Sequence, residues 1–158
     1  MSEGPELLAV DLGVRTGLAL YGADGRLRWY RSQNYGAPAR LRRGAHGLLR
    51  NQPRVERLVL EGGGPLAELW AKEGLRRGLR VETVDAQTWR RVLLYERERR
   101  SGADAKATAD ALARRVIEWS GAARPTSLRH DAAEAILVGL WGVLRAGWLE
   151  RVPDALRA

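Results

Sequence analysis

The order of apolar runs and chain breaks predicts an α/β fold. The expected core is a five-stranded mixed sheet, with three antiparallel N-terminal strands and two further parallel strands, flanked by helices. Three observations carry this expectation. Short apolar runs separated by turn signals fill the first third of the chain. After Pro38, apolar residues recur at three- and four-residue steps. Two later short runs then alternate with helical segments, the pattern of parallel pairing through crossovers. At 158 residues and 45% hydrophobic composition, one domain spanning 1–158 is expected, and there is no repeat, low-complexity segment or linker.

Leu7 to Asp11 is an apolar run ending in an acid, and Gly13 permits a turn into a second run, Gly17 to Tyr21. The turn signal Gly22-Ala23-Asp24-Gly25 leads to a third strand over Arg26 to Gln33. Leu41, Ala45, Leu48 and Leu49 mark the first helix, interrupted by Gly44 and Gly47. Val55 to Glu61 is a fourth strand, the glycines at 62–64 break the chain before Pro65, and Leu66 to Arg77 is a helix. Leu79 to Val84 is the fifth strand, and Asp85 caps a helix through about Tyr95. Glu96 to Gly102 is expected as an exposed charged loop. A helix over Ala103 to Trp119 buries Ala107, Ala111, Leu112, Val116 and Trp119. The last helix, His130 to Trp148, has an apolar stripe of Leu137, Leu140, Trp141, Leu144 and Trp148.

Composition narrows the chemistry. The chain has no cysteine, so disulfides and thiolate metal sites are excluded, and a metal must sit on oxygen or on His46 or His130. No apolar run approaches the roughly 18 residues of a membrane span, and MSEGPELLAV lacks a basic-then-apolar leader pattern. A soluble cytoplasmic protein with no membrane partner is expected. There are 27 Lys+Arg against 19 Asp+Glu, a net charge of +8, and only Lys72 and Lys106 are lysines. Arginine forks match phosphate, which favours a polyanionic partner; arginine-rich codon usage with a merely solvated surface is the alternative.

Four acids stand out. Asp11 and Glu61 each end an apolar strand, where a carboxylate costs desolvation unless something such as a cation compensates it. Asp11 can equally cap the turn at Gly13, and Glu61 can sit at an ordinary strand-to-helix turn. Asp131 and Glu134 lie three apart on one helix face among small alanines, although acids are also common in a first helical turn. Together, four carboxylates drawn from distant segments suit a hard cation such as Mg²⁺. Two such ions about 4 Å apart support phosphodiester cleavage.

Five segments in order resemble one family. These are AVDLGVRTGLALY (9–21), LVLEGGG (58–64), VDAQTWRRVL (84–93), GADAKATADALA (102–113) and RHDAAEAILVGLWG (129–142). They resemble the RuvC-like Holliday junction resolvases, crossover junction endodeoxyribonucleases of the RNase H-like superfamily. The resemblance implies that Asp11, Glu61, Asp131 and Glu134 are catalytic metal ligands for two Mg²⁺, with Mn²⁺ able to substitute, and that Lys106 lies near the scissile phosphate. It further implies a homodimer that cuts four-way DNA junctions in pairs, leaving 5′-phosphates and 3′-hydroxyls, in recombination and repair.

Arg40, Arg42, Arg43, Arg97, Arg99 and Arg100 are expected to contact the DNA backbone, with Glu96 and Glu98 pairing some of them internally. His130 reads as a first-turn helix residue beside the acids. Two departures from the family stand out. Glu134 stands where bacterial RuvC typically has Asp. The segment GGGPLAELW also lacks the aromatic that follows the catalytic Glu and opens the junction, and Trp70 within it reads as a core or dimer contact. Nucleases acting on RNA, on RNA–DNA hybrids or on other branched DNA, and a non-cleaving branched-DNA binder, are the alternatives. AVDLGVRTG also resembles an actin-like phosphate loop, but that fold needs two lobes and 158 residues are too few.

Overall fold

A computed structural model describes residues 4–157. Residues 1–3, the start of the segment read for a leader, and residue 158 lie outside the described residues. Five strands, β1 (Glu6–Asp11), β2 (Arg15–Gly22), β3 (Leu27–Asn34), β4 (Val55–Glu61) and β5 (Arg80–Val84), form one sheet in the order β3-β2-β1-β4-β5. β1, β2 and β3 pair antiparallel, while β4 and β5 join β1 in parallel. The mixed sheet expected from the sequence is present.

Helices α1 (Pro38–Arg50) and α2 (Pro65–Arg76) cover one face of the sheet. The other face carries α3 (Ala86–Leu93), α4 (Gly102–Ser120) and α5 (His130–Arg145). This double cover explains why the central strands read as continuous apolar runs. Leu7 and Ala9 point to the α5 face, and Leu8 and Val10 to the α1–α2 face. Trp70 is fully buried in the second of these cores. Among the described residues no helix is long and apolar enough to cross a membrane.

α5 is the central helix, buried almost all round from Ala132 to Leu140 rather than along one stripe. It ends at Arg145, three residues earlier than the apolar pattern implies. Gly147 turns left-handed (φ +78°), and Trp148 N–H bonds back to the Val143 carbonyl at 2.9 Å, closing the helix before Trp148. On α4 the buried positions are Ala105, Ala109, Leu112, Ala113, Val116 and Ile117, whereas Ala107 and Ala111 are exposed. Alanine carries too little apolar signal to fix a helical phase. The larger Leu112, Val116 and Ile117 set it instead.

Candidate active site

The sheet builds the site by register. β1 and β4 run parallel with Asp11 directly opposite Glu61, and on its other side Asp11 faces Gly17 of β2. Strand alternation puts Asp11 and Glu61 on the face that carries Ala9 and Val59, the α5 side. α5 arrives there at its N-terminus. A Cβ on Gly17 would lie 1.9 Å from the Asp131 carbonyl oxygen, so only glycine admits the helix that closely. The Tyr21 hydroxyl donates to the Ile136 carbonyl and fixes the next turns of α5 on β2. Asp11, Glu61, Asp131 and Glu134 thereby gather at one end of the sheet.

Their environments differ. The Asp11 carboxyl is pushed up to about 8, first by burial and then by the Glu61 charge, with a hydrogen bond to Glu61 and the charges of Glu134 and Asp131 adding to it. Glu61 is also raised, first by burial and then by Glu134; its hydrogen bond with Asp11, the Arg90 charge and the Trp89 indole oppose the rise. Burial and mutual repulsion disfavour two adjacent negative charges here, so the protonated form is favoured at Asp11.

On α5 the acids are held by neighbours. Asp131 accepts from the Ser32 hydroxyl at 2.9 Å and from the Ala132 N–H at 2.8 Å. Glu134, 6% exposed, lies 3.3 Å from an Arg90 guanidinium nitrogen and 3.0 Å from His130 Nε2. Sequence reasoning did not single out Ser32 or Arg90. Ser32 had no local signal, while Arg90 could have been found in TWRR, where it follows the core residue Trp89 on a short helix capped at the end of β5.

Among the described residues no group of three or more acids or imidazoles already stands in a cation-binding arrangement. The donor chemistry nevertheless fits a hard divalent ion. Glu61 Oε2 and Glu134 Oε2 are buried oxygens with no hydrogen-bond partner among the described residues, and Asp11 retains a proton that a cation would displace.

The arginines expected to contact DNA lie in two places. Arg99 and Arg100 join Arg90, Gln87, Ser101 and Gly102 around a cleft of about 430 Å³ between α3 and the start of α4. The expected loop after α3 is in fact a 3-10 turn, Glu96–Arg99, in which Glu98 accepts from the Tyr95 N–H at 2.8 Å. The expected pairing of Arg97 and Arg99 with Glu96 and Glu98 does not form among the described residues. Arg97 instead stacks on Tyr95 at 4.9 Å, and the Arg99 Nε is buried with no hydrogen-bond partner among those residues. Arg40, Arg42 and Arg43 are exposed on α1, on the opposite side of the sheet from α5. Lys106 is exposed on α4 and, among the described residues, makes no ion pair with any of the four acids.

The architecture matches solved proteins. RuvC from T. thermophilus, in complex with a Holliday junction substrate, superposes with a TM-score of 0.64 at 15% identity, over 90% of this chain and 96% of that one. The fold is RNase H-like. The yeast mitochondrial Holliday junction resolvase is also similar, with a TM-score of 0.56 at 9% identity over 93% of this chain and 83% of that one. No family model and no curated protein matches the sequence. The resemblance to RuvC-like resolvases read from short motifs is therefore shared by the three-dimensional structure.

Proposed function

We propose that this chain is a divalent-cation-dependent endonuclease that resolves four-way DNA junctions by paired phosphodiester hydrolysis. One observation carries the reading: Asp11 and Glu61 are register partners at the strand ends where Gly17 admits the acid-bearing turn of α5. The two solved proteins described above are both associated with Holliday junctions by name, which favours a branched DNA substrate over RNA or a hybrid.

Asp11, Glu61, Asp131 and Glu134 would hold Mg²⁺, two ions per site, with Mn²⁺ able to replace them. Bound there, such ions would supply activation of the attacking water and neutralisation of charge on the departing oxygen. The protein's own groups then have distinct tasks. Ser32 orients Asp131, while Arg90 and His130 orient Glu134. Arg90, Arg99 and Arg100 offer donors to the backbone phosphates of the strand being cut. Lys106 is assigned to the neighbourhood of the scissile phosphate by the family resemblance alone. Arg97 and the α1 arginines Arg40, Arg42 and Arg43 would contact backbone further away. Two cuts on symmetric strands require two sites in fixed relation, hence a homodimer.

The test is a cleavage panel of four-way junction, duplex, flap and RNA–DNA hybrid with Mg²⁺. Symmetric cuts in the junction support the reading. Preference for the hybrid would replace it with an RNase H-type activity. In the Asp11→Asn variant cleavage should disappear while junction binding persists; undiminished cutting by that variant would remove Asp11 from the site.

A further inference from the structure

The opposite side of α3 from the arginine cleft holds a second opening, of about 500 Å³, which the proposed mechanism does not use. It begins at Gly62, the residue after Glu61, and runs past Asp85 and Thr88 to Trp141, where the Glu82–Arg145 ion pair (3.2 Å) borders it. Side chains at Gly63 and Gly64 would meet nothing within 4 Å, so the approach along this segment is open.

Trp141 is distinctive among the six tryptophans. Trp70 and Trp89 are fully buried, and Trp29, Trp119 and Trp148 each carry an arginine guanidinium over the ring. Among the described residues Trp141 alone is partly exposed with no cation on its face. It lies seven residues beyond Glu134, on the same side of α5 and about 10 Å along the axis. That is about three steps of a strand stacked at about 3.4 Å per nucleotide. The groups around it are wrong for a phosphate: Asp85 and Glu82 are carboxylates, and Arg145 is already paired. They suit a nucleobase, which offers a π-face and polar edges.

On the strength of the nuclease reading, we propose that this opening receives an unstacked base within three nucleotides of the cut, laid against the Trp141 indole. The backbone would cross the arginine-lined side of α3 while the base turns into the Trp141 side. Trp141 would thus hold the opened strand in a protein whose Gly62–Gly64 segment provides no aromatic.

A four-way junction carrying single 5-iodouracils at each of three positions on either side of the cut tests this, with the full chain and Ca²⁺ in place of Mg²⁺. Irradiation should link at least one position to the arginine-bounded peptide 130–145, whose only tryptophan is Trp141. Trp141→Ala should weaken junction binding about tenfold, the size of one base–aromatic stack. Trp141→Phe should bind within about threefold of the parent, and pre-unpaired bases beside the cut should shrink the alanine defect. A folded Trp141→Ala protein that binds undiminished, or links confined to other peptides at all six positions, overturns the inference. If junctions are cut symmetrically but Trp141 is never linked, the inference fails alone. If no branched DNA is bound, it fails together with the nuclease reading.

Discussion

Asp11 concentrates the electrostatic tension of the molecule. Its proton is held tightly in the folded chain, at about 8 against an ordinary value of 3.8, because burial and three other acids disfavour its charge. Folding therefore binds a proton that the unfolded chain would release. The associated stability is fully present below about pH 4 and is lost as pH rises toward 8. Asp11→Asn removes that loss. With EDTA at pH 8.5 the variant should be more stable than the parent by about 1–2 kcal/mol once solvent screening is allowed for, with near parity at about pH 4. Added Mg²⁺ should raise the parent's melting temperature and leave the variant's nearly unchanged. Melts at the two pH values, with and without cation, check both signs. Arg90 poses a different question. Replacing it with Ala leaves buried Glu134 with His130 as its remaining partner. Mg²⁺-dependent cleavage should fall at least tenfold while the fold persists, measured as single-turnover rates beside a melting curve.

The junction of β2 with α5 shows how elements, more than single acids, make the site. Gly17 sits against the Asp131 carbonyl, and any side chain there must push α5 off the sheet. Gly17→Ala should destabilise the protein by about 2 kcal/mol or more and misplace Asp131 and Glu134, read as a lower denaturation midpoint together with lost cleavage. Much of this was legible in the sequence. Strand-ending Asp11 and Glu61 announced themselves because an acid after an apolar run is costly without a purpose. What stayed hidden depended on tertiary contact. Ser32 reaches Asp131 across 99 positions and leaves no local pattern, whereas Glu98 bonds the Tyr95 N–H only three residues away, a local capping contact that the alternating charges of 96–99 masked. The exposed Ala107 and Ala111 show the same limit, since alanine fits either side of a helix. The 3-10 turn and the start of α4 yield another test. Charge removal at Arg99 and Arg100 should flatten the salt dependence of junction binding by about one log–log unit for each phosphate left unneutralised, whereas Arg40, Arg42 and Arg43 on the far side of the sheet should each contribute less. Binding titrations from about 50 to about 200 mM salt decide this.

Among the described residues the four candidate acids come from β1, β4 and α5 of one chain and form one candidate centre. A four-way junction has approximate two-fold symmetry, and resolving it needs two cuts on opposed strands. A single centre can make the second cut only after releasing and rebinding a nicked junction that has lost its strain. Two centres related by a two-fold axis avoid that step, because both strands lie in place during one binding event. A dimer of the proposed kind would therefore set the timing of the two cuts. A cruciform in a supercoiled plasmid separates these possibilities, since paired cutting gives linear DNA and a lone nick relaxes the plasmid to an open circle. Mixed dimers of parent and Asp11→Asn chains, isolated through two different tags, should bind the cruciform like the parent and yield open circles almost exclusively. The parent should yield linear product with little open-circle intermediate. Linear product from mixed dimers at the parent's proportion, or symmetric cutting by a chain that sediments as a monomer, would mean that one centre serves both strands in turn.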